Sequence, residues 1–249
     1  MGFRLALKVG CLYELNARKT FPVWKRCKNS CHVRLICCTI FRVQFFVWLG
    51  NTEQARKAGG RKAEDRMEYR TEVCVREISA ARLLETYYDP VAFHTCCCGC
   101  PDYNKRWSCP PGAPDTREFF AEFSRAYLIG VKVVYSEACR RASQQPGCLE
   151  PIRQRTYGQV KKAIHELQLQ LEGRHPGTTS IAAGRCEQCE ICTRSRGRLC
   201  RKPHRMRYSF SAFCFDLGRI AEKELHMPLL WSSSGLPEYN VAIAALLVP

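Results

Sequence analysis

The stretch of this 249-residue chain best equipped for chemistry is Cys186-x2-Cys189-x2-Cys192-x7-Cys200, followed by Arg201, Lys202 and Pro203. Three thiolates at two-residue gaps can wrap a compact turn around one face of a cubane, with the fourth arriving across a short loop. Bacterial ferredoxins space their ligands in this way, with a later Cys near a Pro. Zinc sites more often use two separated C-x2-C pairs, so the spacing favours iron–sulfur over zinc. Four cysteines within fifteen positions exceed what random clustering supplies.

A second group runs from Cys96, Cys97, Cys98 and Gly99 through Cys100 to Cys109, Pro110 and Pro111. Here Cys97-x2-Cys100-x8-Cys109 offers three ligands on a loop stiffened by Pro and Gly. The fourth is open between Cys96, Cys98, His94 and a residue brought in from elsewhere. Three ligands with an open position is also how a catalytic metal is held, and a buried cysteine cluster is the plainer alternative. Tyr103 and Trp107 lie between these ligands, where they could shield a cluster or simply pack. Cys74, Cys139, Cys148 and Cys214 stand alone and read as structural thiols. The histidines are scattered, with His204 beside the basic loop the one of most interest. The sequence contains no Gly-rich phosphate loop, G-x-S-x-G elbow or metalloprotease helix motif.

Charge helps to decide what these cysteines meet. The chain carries 39 Lys+Arg against 23 Asp+Glu, a formal +16, which invites nucleic acid. Its distribution changes that expectation. Residues 1–66 hold 14 basic and 4 acidic side chains, and residues 185–207 hold 8 and 2, so the rest sums to zero. A four-thiolate [4Fe–4S]²⁺ centre has a net charge of about −2, which nearby Arg and Lys offset. The basic loop is therefore expected to receive a redox partner protein or an anionic small molecule, with nucleic acid less favoured.

Eighteen cysteines without a secretory start imply a reducing, cytoplasmic setting in which clustered thiols bind metal or react. The most apolar run, residues 35–50, is too short for a bilayer span and carries Arg42 and Gln44. No membrane partner is expected.

The elements that must position these residues begin near Met67. Residues 1–66 keep no sustained period and read as a basic extension, disordered or not translated, with a basic arm for membrane surface or nucleic acid as the alternative. Cys27, Cys31, Cys37 and Cys38 in that zone receive no role. Beyond it, the spacing of Val75, Ile78, Leu83 and Tyr87 predicts a helix over 75–87 that Asp89-Pro90 ends. Asp115 and Glu118 have capping-box spacing ahead of Phe119, Phe120 and Phe123. Residues 127–135 and 178–183 read as strands, 151–172 as a helix with a Val160, Ile164, Leu167, Leu171 stripe, and 209–225 as another helix. Residues 228–231 and 241–248 read as closing strands. Strands alternating with helices predict one α/β or α+β domain over 67–249, with a small mixed sheet packed by helices and two cysteine-rich metal-binding loops.

At CGCPDYNKRWSCPP, then GRCEQCEICTRSRGRLCRKP, and finally SFSAF with GLPEYNVAIAALL, the chain resembles the prokaryotic cysteine-rich family named "predicted metal-binding protein", domain of unknown function 2284. The resemblance spans residues 88–248 with the motifs in order. It implies metal ligands at Cys97, Cys100 and Cys109 and at Cys186, Cys189, Cys192 and Cys200, in a cytoplasmic protein of anaerobic-type metabolism. Relatives often carry an acidic residue and a glycine where this chain has Ser211 and Cys214. The expected cofactor is one [4Fe–4S] cluster, or two, acting in electron relay or reductive activation of a partner. The alternatives are a zinc-stabilised module with an Arg-rich nucleic-acid-binding loop, and a metalloenzyme whose first centre has an open site.

Overall fold

The structure, a computed structural model, describes residues 4–7, 11–14 and 69–249. The expectations for residues 1–66 and for a start at Met67 lie outside the described residues. The exception is an antiparallel hairpin of β1 (Arg4–Leu7) and β2 (Cys11–Glu14).

The domain is built on a four-stranded sheet of β3 (Tyr69–Ser79), β4 (Arg125–Tyr135), β6 (Tyr239–Val248) and β5 (Thr179–Ile181), in that spatial order. Every ladder is antiparallel, which corrects the expected mixed sheet. Strands alternating with helices suggest parallel neighbours, but here the β3–β4 excursion returns at the end it leaves, and the helical crossover from β4 to β5 joins strands that β6 keeps apart. Ser79 at the end of β3 pairs with Arg125 at the start of β4. Val134 near the end of β4 pairs with Tyr239 at the start of β6.

The two central strands are covered on both faces, and their side chains divide by period two. Ala126, Leu128, Ile243, Ala245 and Leu247 join one core with Leu83, Phe120, Phe210, Phe213 and Phe215. Tyr127, Ile129, Val131, Ala244 and Leu246 join the other with Val160, Ile164, Leu167 and Leu171. Gly130 marks a close approach on the first face, because a Cβ there would stand 2.9 Å from Leu225 Cδ1. The core also holds Cys74 and Cys139, as expected of structural thiols.

Among the described residues are six helices of five residues or more: α1 (Ala80–Tyr87), α2 (Pro90–Cys98), α3 (Thr116–Ala121), α4 (Glu137–Ser143), α5 (Leu149–Arg153) and α6 (Gln159–Arg174). Their starts follow local chemistry: Ser79, Asp89 and Asp115 each accept a backbone N–H three residues on, and Pro90 fills the first position of α2. The expected helix over 75–87 is half strand, since residues 75–79 complete β3 and only Ala80–Tyr87 turns helical. The expected helix over 151–172 is present, with a π-helical turn at Gln154–Gly158 between α5 and α6. That over 209–225 is broken into a 3-10 turn (Phe210–Phe213), a helical turn (Leu217–Arg219) and a π-helical turn (Ile220–Glu224). Residues 228–231 form no strand; the Pro228 carbonyl accepts the Tyr239 hydroxyl at 2.8 Å. Among the described residues, no helix is long and apolar enough to cross a membrane.

Short edge strand β5 carries the pairing outward. Ala182 N donates to Tyr208 O at 2.8 Å and Phe210 N to Ala182 O at 3.1 Å, and Ser209 N donates to Ser108 O at 2.9 Å. Gln168 of α6 holds this edge by donating to Ile181 O and Ala245 O, each at 2.9 Å. Glu172 accepts Ser180 N at 2.7 Å and pairs with Arg207. Burial alone would raise the Glu172 pKa, but the bonds from Arg207 and Ser180 hold it below the ordinary carboxylate range. A depressed folded-state pKa contributes stability that is present above the unfolded value, about pH 4.3, and is lost as pH falls through the folded value. Accordingly, Glu172→Gln should be less stable than the wild type at pH 7 and converge with it on acidification below about pH 4, as read from urea midpoints across pH.

Candidate metal centres

The two cysteine segments arise from different excursions, one between β3 and β4 and the other between β5 and β6, and they meet beyond the sheet edge. Ser108 is fully buried. Its hydroxyl accepts Cys186 N at 2.9 Å and lies 3.6 Å from Cys109 Sγ. Beside it, Arg106 Nη1 donates to Cys186 O at 3.0 Å and Trp107 Nε1 to Arg198 O at 3.2 Å. The Arg194 guanidinium sits 4.4 Å over the Trp107 ring, a cation–π contact. Asp102 completes the seam by pairing with Arg106 at 2.8 Å and Arg185 at 3.2 Å.

In the second segment the four thiols of Cys186, Cys189, Cys192 and Cys200 line one pocket, with Trp107 and Lys202 among the other walls. Burial raises the Cys186 pKa. A backbone hydrogen bond from Gln188 opposes this, while the thiols of Cys200, Cys192 and Cys189 raise it further. The loop keeps its shape through its own basic side chains. Arg201 donates to Ile191 O at 2.8 Å, Lys202 to Gln188 O at 2.9 Å and Arg205 to Gln188 Oε1 at 3.0 Å. Gly197 turns the tip in the left-handed region, φ +64°.

The first segment is partly helical. Cys96, Cys97 and Cys98 form the last turn of α2 rather than a loop, so their side chains diverge by about 100° per residue. Cys97 is half-buried and donates to Ser211 O at 3.4 Å. Cys96 and Cys98 are exposed, and Cys98 Sγ lies 3.5 Å from His94 Nε2. Cys100 follows in a turn closed by its N–H to Cys97 O at 3.0 Å, and Cys109 is buried. Burial, then the thiols of Cys214, Cys100, Cys109 and Cys96, push Cys97 up to about 11.

Of the expected ligands, Cys186, Cys189, Cys192 and Cys200 share one pocket, while Cys97, Cys100 and Cys109 follow one another along the other segment, which meets the first at Ser108. The thirteen cysteines of residues 69–249 are free. Among those residues, no three Cys, His, Asp or Glu side chains stand close enough together to grip a single ion. The donor chemistry fits a soft metal: several thiols, each costly to ionise beside the others, are relieved by a shared cation. His204 is not part of this set; it is exposed in the turn Pro203–Arg205. His165, buried in α6, donates to Arg205 O at 2.9 Å, and burial lowers its pKa. Cys214 is half-buried at a left-handed position, φ +57°, beside the start of α2, where its carbonyl accepts Asp89 N at 2.9 Å.

If Ser108 is the pin, removing its hydroxyl leaves the buried Cys186 N–H without an acceptor. Ser108→Ala should lose about 1–3 kcal/mol of stability in urea unfolding. A loss within a few tenths would mean the seam holds without it.

Comparison with known proteins matches no curated protein and no solved structure. A family model does match, that of predicted metal-binding protein (DUF2284), over residues 84–247. That interval takes in both cysteine segments and all the sheet except β3, and the chain belongs to this predicted metal-binding family.

Proposed function

We propose that the chain is an iron–sulfur protein in which Cys186, Cys189, Cys192 and Cys200 hold a [4Fe–4S] cluster and Cys97, Cys100 and Cys109 belong to a second centre. Its role is electron relay or reductive activation of a partner. One observation carries this reading: four free thiols from a single short loop surround one pocket. A lone zinc ion, with Zn–S of about 2.3 Å, would draw four sulfurs into mutual contact. Three cysteines at two-residue gaps with a fourth across a short loop suit a polynuclear cluster better. When bound, such a cluster supplies one-electron chemistry at a potential set by net charge, hydrogen bonds to sulfur and exposure.

The residues around the pocket suit that task. Trp107 forms part of its wall and limits water at the sulfurs. Arg201, Lys202 and Arg205 hold the loop's own backbone and side chains, while Arg185 and Arg207 pair with Asp102, Glu187 and Glu172. Five of the eight basic residues thus have internal work, which weakens the case for a nucleic-acid surface. Arg196 and Arg198 are exposed beside Ile191 and Leu199, themselves 54% and 84% exposed. A basic rim around apolar tips fits the acidic face of a redox partner protein or an anionic molecule.

Anaerobic purification of the full chain tests this directly. The expected product is brown and contains iron with labile sulfide, and Cys200→Ala and Cys109→Ala each remove a separate part of it. A colourless chain containing zinc would contradict the iron–sulfur reading, and one shared loss in both variants would mean a single site.

A further inference from the structure

The loop from Cys186 to Cys200 ends in a tip that is braced from within and bare on the outside. Two bonds close it across its base: Arg201 donates to Ile191 O and Thr193 Oγ1 to Leu199 O, each at 2.8 Å. Inside the tip, Arg198 N donates to Thr193 O at 3.1 Å, Gly197 N to Arg194 O at 2.9 Å and Ser195 Oγ to Cys192 O at 2.8 Å. The bond from Trp107 Nε1 to Arg198 O and the Arg194 guanidinium over the same ring tie the tip to the other cysteine segment. A loop ordered in advance loses little further freedom when something docks on it.

Two large apolar side chains stand out of this frame, Ile191 at 54% and Leu199 at 84% exposed. Each immediately precedes a thiol that lines the pocket, Cys192 and Cys200. A single exposed Leu is ordinary on a protein surface. Two of them, on opposite limbs of one braced loop and each one residue from a pocket thiol, make an anchor. Charge completes the pattern. Among the described residues, Arg194, Arg196 and Arg198 form no ion pair, whereas Arg185, Arg205 and Arg207 each have a carboxylate partner. Arg196 and Arg198 are exposed, and so is Glu190 beside Ile191, which leaves the tip net positive.

We infer that this tip docks an acidic protein surface, with Ile191 and Leu199 entering an apolar patch and Arg196 and Arg198 meeting carboxylates at its rim. The inference rests on the iron–sulfur reading for what the contact is for: a partner seated on the tip lies next to two thiols of the pocket. Nucleic acid fits this surface less well. Trp107, the one aromatic ring lining the pocket, has a face taken by Arg194 and is not free to stack on bases. A small anion would leave Ile191 and Leu199 in water.

The test titrates a bacterial ferredoxin and a flavodoxin, both small acidic one-electron carriers, against the full chain purified anaerobically, with iron, sulfide and zinc measured in the same samples. At least one carrier should bind, and its affinity should fall as salt is raised. Arg196→Glu combined with Arg198→Glu should weaken that binding by at least about tenfold at low salt. The difference should close at about 1 M salt, where the Debye length is about 3 Å. Ile191→Ser combined with Leu199→Ser should weaken binding at both salt concentrations, which charge attraction alone would not do. Both variants should keep the wild-type metal content, since none of the four residues lines the pocket. Failure of both carriers to bind, or equal binding by the wild type and the charge-reversed chain, would overturn the inference. So would tighter binding of a single-stranded RNA oligonucleotide than of either carrier, indifferent to the two serine substitutions. Carrier binding by a chain that holds zinc and no iron would sink the iron–sulfur reading and leave the docking face in place. An iron–sulfur chain that binds neither carrier would do the reverse.

Discussion

A single buried hydroxyl joins the two halves of the candidate centre. Ser108 stands beside Cys109 in one segment and accepts the backbone N–H of Cys186, the first thiol of the other. The register of both segments follows from this bond and from the backbone step next to it, Ser209 N to Ser108 O. Ser209 is in turn bridged to Ala182 at the sheet edge, so a rigid sheet positions both cysteine groups through two successive pairings. A short edge strand suits this role, because the unpaired groups beyond Ile181 are free to recruit the loops. It also accounts for the two-sided core: with helices covering both faces, the open edge is the natural place left for a site.

Ligand spacing is local, and so the Cys186 to Cys200 group was legible in the sequence and converges on one pocket. The long α6 stripe and the strand read at 127–135 were equally clear, the one from its helical period and the other from its run of branched and aromatic residues. Other features depended on tertiary context. Val75 and Ile78 carry a helical spacing, and pairing of residues 75–79 with β4 decided for strand. The segment 209–225 has helical periodicity, but the left-handed turn at Cys214 and the docking of Tyr88 against Phe215 break it. Sheet direction depends on which end a long excursion returns to, and no local residue encodes that.

The basic charge of residues 185–207 has a structural explanation that composition alone concealed. Arg185, Arg201, Lys202, Arg205 and Arg207 bind carbonyls or carboxylates within the domain, which lets a loop with little regular structure hold a defined shape. Arg194 stacks on Trp107 and ties the same loop to the other segment. Arg196 and Arg198 are left at the rim facing solvent.

X-ray absorption at the iron and zinc edges of the anaerobically prepared full chain tests the central claim most directly, because it reports what the sulfurs surround without relying on any variant. The account predicts an iron edge with a sulfur shell and a clear iron–iron scattering distance. A zinc edge with an isolated four-sulfur shell and no iron would contradict it.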